Sequence, residues 1–69
     1  MVVYSFSISN ADGSARETTG RMPLRNDHEA RAFGDAMIKD IVSGDAAPFA
    51  GWMMEISRGA RIICKIAFS

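Results

Sequence analysis

The sequence predicts an α+β fold: a single helix packed on a four-stranded, largely antiparallel sheet built from two hairpins, in the order ββαββ. Three observations predict it. Apolar and polar residues alternate from Val2 to Ser9, and again on both sides of Arg58-Gly59-Ala60, with the period of two that marks half-buried strands. Between these regions Phe33, Met37, Ile38 and Ile41 recur at spacings of three and four, the period of an amphipathic helix. The helix falls between the hairpins in the chain, so one helix must cover one face of whatever sheet they form. No repeat, low-complexity tract or linker interrupts residues 1–69, which read as one small domain.

Val2, Tyr4, Phe6 and Ile8 form the inward phase of the first strand, and Val3, Ser5, Ser7 and Ser9 its wet phase. Asn10-Ala11-Asp12-Gly13-Ser14 gathers residues suited to tight turns and predicts a hairpin. Ala15 to Met22 carries Arg16, Glu17, Gly20 and Arg21 and has little to bury, so it is expected to be an edge strand guarded by charge and bulged at Gly20, ended by Pro23.

Asn26-Asp27-His28-Glu29 has the layout of a capping box with Asn26 as N-cap. Arg31, Asp35, Lys39 and Ser43 fall opposite the apolar stripe, and Gly44 is the expected C-terminal stop. Gly34 lies inside the stripe. A glycine costs a helix interior about 1 kcal/mol relative to alanine, so its position predicts close approach of the helix backbone to the sheet. Asp45 to Gly51 is an irregular connector, with Phe49 folding over a core edge.

The third strand runs from Trp52 to Ser57, with Trp52, Met54 and Ile56 inward. In the fourth, Ile62, Cys64, Ile66 and Phe68 are expected inward and Ile63, Lys65 and Ala67 outward. Matching these phases predicts that Ser57 pairs with Arg61 across a three-residue loop with a bulge, because a two-residue loop would invert one strand. Strands one and four are the most apolar and are expected to be central, with strand two at an edge.

The chain has eight basic and eight acidic side chains, is 48% apolar and 23% charged, and holds one cysteine and one histidine. A domain this short buries only about 60% of the surface its unfolded chain exposes. Ordering it costs on the order of 100 kcal/mol, which apolar burial must nearly match, so association would help. An internal active-site cleft is disfavoured. Zero net charge removes the overall attraction that supports non-specific nucleic-acid binding. Cys64 cannot form an internal disulfide, and one Cys with one His cannot close a zinc site, which fits a reducing cytoplasm. The start Met1-Val2-Val3-Tyr4-Ser5-Phe6 has no basic region or long apolar stretch, so neither secretion nor membrane anchoring is expected.

Several elements together resemble a known pattern. They are the strand ending in Asp12-Gly13, Glu17-Thr18-Thr19-Gly20 before Met22-Pro23-Leu24, the helix start Glu29-Ala30-Arg31, and the closing hairpin from Trp52-Met53-Met54-Glu55-Ile56 through Arg61-Ile62-Ile63 to Ile66-Ala67-Phe68. The layout resembles a domain-of-unknown-function family of small ββαββ bacterial proteins common in rhizobial and other alphaproteobacteria. That family usually has an acidic residue before the glycine of its last turn, where this chain has Ser57-Arg58-Gly59. The resemblance implies the ββαββ fold and no activity, cofactor or catalytic residue.

The residues that could carry chemistry have simpler readings. His28, between Asp27 and Glu29 in the first helical turn, reads as a solvated surface group rather than a base or metal ligand. Cys64 shares the inward phase of Ile62 and Ile66 and is expected to be buried and inert. Ser5, Ser7 and Ser9 read as a wet sheet face without a His-Asp partner. Arg16, Arg21, Arg25, Arg58, Arg61 and Lys65 could gather as a basic patch, but Asp12, Glu17 and Glu55 dilute it and Tyr4, Phe6 and Phe68 point inward instead of offering a stacking platform. Isolated glycines give no phosphate-cradling spacing. Catalytic, cofactor-binding and metal residues are therefore expected to be none. The leading expectation is a small cytoplasmic, non-enzymatic interaction module that self-associates as a homodimer, either through the open face that carries Val3, Met53, Ile63 and Ala67 or by pairing through strand three, since charge argues against the edge of strand two. A nucleic-acid-associated regulator using the hairpin arginines is the alternative.

Overall fold

The computed structural model describes residues 1–44 and 47–68. Strand β1 (Val2–Ser9) and strand β2 (Arg16–Leu24) form the first hairpin, helix α1 (Asp27–Val42) follows, and strands β3 (Met53–Arg58) and β4 (Arg61–Ala67) form the second. All pairings are antiparallel and the sheet order is β2-β1-β3-β4. The expected ββαββ architecture is the one observed. The expectation that β4 is central is corrected: β1 and β3 fill the centre, and β4 is an edge.

The alternation of β1 does what its pattern requires. Tyr4, Phe6 and Ile8 join Met54 and Ile56 of β3 in the core, with Tyr4, Phe6, Met54 and Ile56 fully buried. Helix α1 adds Ala30 and Ile38, flanked by Phe33, Met37 and Ile41. Phe6 and Phe33 pack with ring centroids 5.3 Å apart. Gly34 is buried against the sheet, where a Cβ would lie 2.8 Å from Ile56 Cδ1 and 3.4 Å from Met54 Sδ. The glycine is thus a packing requirement of the helix–sheet contact.

Asn26 caps the helix: its Oδ1 accepts from the Glu29 N–H at 2.9 Å, while Glu29 Oε1 accepts from the Arg25 N–H at 3.3 Å. The reciprocal half of the capping box lands one residue upstream of the cap. The C-terminal end differs from expectation. Ser43 is the C-cap in right-handed geometry, Gly44 has no positive φ, and Ser43 Oγ donates to the Asp40 carbonyl at 2.8 Å.

Within the first hairpin, Asn10 bonds Ala15 through both backbone and side chain, and Gly13 takes φ 76°. The Ser14 N–H donates to Asp12 at 2.9 Å and holds that carboxyl below its ordinary pKa. The bulge predicted at Gly20 lies one residue away. Phe6 faces Gly20 and Ser7 faces Thr18, so Thr19 is the extra residue, its hydroxyl donating to the Phe6 carbonyl at 3.0 Å. Pro23 does not end the strand; it pairs with Val3 inside β2. An edge permits this, because only there can a residue without N–H face solvent.

The second hairpin corrects the predicted loop. Arg58 faces Arg61 across two residues, Gly59 and Ala60, with Gly59 at φ 62°. Parity is restored by a bulge further along: Ser57 faces Ile62, Ile56 faces Cys64, and Ile63 is the added residue. Cys64 and Ile66 keep the core phase, Ile62 turns outward at 48% exposure, and Ile63 packs against the core. Beyond α1, the predicted packing of Phe49 is observed, against Trp52 at 5.4 Å and Phe68 at 5.6 Å. Asp45 and Ala46, part of the connector, lie outside the described residues.

Candidate interaction surface

Helix α1 covers one face of the sheet, leaving the other uncovered. Strand register places its residues in cross-strand rows: Pro23 and Val3; Arg21, Ser5, Ser57 and Ile62; Thr18, Ser7, Glu55 and Lys65; Arg16, Ser9, Met53 and Ala67. Serines occupy the middle. Arg16 reaches across β1 to Glu55, with nitrogens 2.9 and 3.4 Å from the two carboxylate oxygens. Such exposed pairs contribute about 0–1 kcal/mol, so the pair organises the face more than it stabilises the fold.

Apolar groups occupy the margins of this face. Val3 is 54% exposed, Met53 37% and Ile62 48%. Val3, Met53 and Ala67 stand where the sequence put them, and Ile62 replaces Ile63 because of the bulge.

The edges differ. The Phe68 N–H donates to the Trp52 carbonyl at 3.0 Å, and alternation along an antiparallel ladder then turns the backbone of Cys64 and Ile66 towards β3 and that of Lys65 and Ala67 outward. The Asn10–Ala15 bond fixes β2 in the same way, turning the nitrogen of Pro23 outward beside outward-facing Arg21. Edge β2 therefore has a bulge, a missing donor and charge, all of which discourage pairing. Edge β4 has a bulge at Ile63, and beyond it, from Cys64 onward, Lys65 is its one such device.

Of the residues weighed for chemistry, His28 is exposed in the first turn of α1. Cys64 faces the core side but is half-buried, correcting the expectation of full burial. Its phase is as predicted; its exposure follows from the edge position of β4. The basic residues do not gather as one patch. Arg16 is taken up by Glu55, Arg58 Nη1 lies 3.1 Å from Asp27 Oδ1, and Arg21 and Lys65 lie in different rows of the open face. Among the described residues there is no enclosed pocket and no group of three His, Cys, Asp or Glu side chains placed to hold a metal. No helix is long and apolar enough to cross a membrane.

One polar cluster was missed by the periodicity, which treats Tyr4 only as an inward residue. The Tyr4 hydroxyl donates to Asp27 Oδ1 at 2.7 Å, and Arg58 donates to the same oxygen. Burial, reinforced by the bond to Asp27, pushes the Tyr4 hydroxyl above its ordinary pKa. The available signal was chemical: a tyrosine in an inward phase needs a partner for its hydroxyl. The cluster ties β1, the start of α1 and the end of β3 together through Asp27 Oδ1. No family model, curated protein or solved structure matches the chain.

Proposed function

We propose that this protein is a small non-enzymatic interaction module of the cytoplasm that associates with itself through its sheet. The observation that carries the reading is where exposed apolar side chains lie: among the described residues, apart from Met1, the large ones are Val3, Met53 and Ile62, all on the uncovered face. A core of this size leaves the fold little stability to spare, and burying such groups between copies adds to it. A role with nucleic acid is the weaker reading, since Glu55 and Asp27 occupy two of the arginines and the net charge is zero.

Sedimentation equilibrium over a range of concentrations at two salt strengths tests the reading. Association that persists at high salt supports it. A monomeric mass throughout removes it, and binding to nucleic acid that falls steeply with salt replaces it with the alternative.

A further inference from the structure

We infer that the partner surface is the free edge of β4, and that the occupant is the β4 edge of a second copy, paired antiparallel about a twofold axis at Ile66. The inference takes from the reading above only that copies of the chain associate; it moves the contact from the open face to a sheet edge, leaving Val3, Met53 and Ile62 uncovered. Of the two edges, β2 is blocked by Pro23, the Thr19 bulge and Arg21, whereas β4 from Cys64 to Phe68 is regular and offers unpaired backbone groups at Lys65 and Ala67. An antiparallel twofold pairing requires an axis normal to the sheet, so residues facing each other share a face.

Hydrogen-bond parity and charge then select the register. An axis at Lys65 would set two ammonium groups directly opposite each other, an arrangement that is destabilising. With the axis at Ile66, Lys65 faces Ala67 of the second copy, and each such pair exchanges two backbone hydrogen bonds. Cys64 faces Phe68 on the helix side, and Ile66 faces its own copy. Ile66 and Cys64 lie on the edge strand and are half-buried, and this pairing covers that flank. Lys65 projects from the uncovered face and keeps its charge in water. Two four-stranded sheets become one continuous sheet with both helices on the same side.

Proline placement and cross-linking test this. Lys65→Pro gives β4 the device that β2 has at Pro23, removing an outward N–H without touching the β3–β4 ladder. It should weaken dimerisation about tenfold or more by removing two intermolecular bonds per dimer, while Met53→Asp on the open face leaves the dimer intact. In a Cys64→Ser background, Lys65→Cys with Ala67→Cys should form a covalent dimer on mild oxidation, and Lys65→Cys alone should not. The cross-link also decides the matter if the proline variant fails to fold. A dimer that survives Lys65→Pro but is lost in Met53→Asp overturns the edge and keeps self-association. Cross-linking by Lys65→Cys alone overturns the Ile66 register, and a monomeric wild type overturns both proposals.

Discussion

Gly34 and Ile56 are in contact across the helix–sheet interface so closely that a Cβ on Gly34 would stand 2.8 Å from Ile56 Cδ1. Ile56 is fully buried, so its terminal methyl can yield only by turning within the packed core. The pair sets how near α1 lies to β3.

Gly34→Ala therefore sets two effects against each other. Helix propensity contributes about 1 kcal/mol in favour of alanine, and overpacking costs about 1–3 kcal/mol. The expected outcome in urea unfolding is a net loss. Ile56→Val removes the offending Cδ1 and alone costs about 0.5–1.5 kcal/mol. In the double variant the clash is gone and the helix gain remains, so its stability should exceed the sum of the two single changes. Strict additivity would show that the close approach does not constrain the interface.

Tyr4 gives the protein an alkaline limit. Its native-state pKa lies above its ordinary 10.0, because ionisation would place a phenolate in the core and beside Asp27. The native state thus holds this proton more tightly than the unfolded state does. The contribution is fully present below about pH 10 and is lost as pH rises through the native pKa. Tyr4 is the chain's one tyrosine, so phenolate absorbance reports it alone. Phenolate should appear together with unfolding, and Tyr4→Phe should flatten the stability loss above pH 10 while lowering stability at neutral pH. Free titration of Tyr4 near pH 10 in the folded protein would contradict the burial of its hydroxyl.

Much of this fold was legible because local pattern and burial agree. The wet and dry phases of β1, the Asn26 cap and Gly34 all express constraints that operate within a few residues. What was not legible depended on partners distant in sequence. Apolar content placed β4 at the centre, yet order is decided by which strand pairs with β1, and β3 does so with Ser5 facing Ser57 and Phe6 facing Ile56. The phase of Ile62 failed because two devices satisfy the same parity, a longer loop or a bulge, and the chain uses the bulge. The open face was foreseen as wet, while the asymmetry of the two edges emerges only once strand order is known.

Asn26 accounts for a separable part of helix stability. Its Oδ1 satisfies an N–H of the first turn at 2.9 Å, which would otherwise face only water. Asn26→Ala should cost about 1 kcal/mol, and Asn26→Asp or Asn26→Ser should retain most of that, since each can accept the same bond. Denaturant midpoints at constant m-value provide the measurement. No loss on Asn26→Ala would show that the cap contributes nothing.

The bulge in β4 makes the neighbours Ile62 and Ile63 unequal in a way that simple alternation from the turn would not specify. Ile62 faces Ser57 on the open side and is 48% exposed, whereas Ile63 packs against the core. A charge at Ile62 meets water at once, so Ile62→Lys should change stability by no more than about 0.5 kcal/mol, as ordinary surface substitutions do. At Ile63 the same change must either draw the ammonium out along its stem or strip apolar contacts from the core margin, and a loss of roughly 1–3 kcal/mol is expected. Chemical unfolding at high dilution keeps association out of the comparison. If Ile62→Lys proved the more damaging of the two, β4 would have to be in the opposite phase near the turn, with the three-residue loop in place of the bulge.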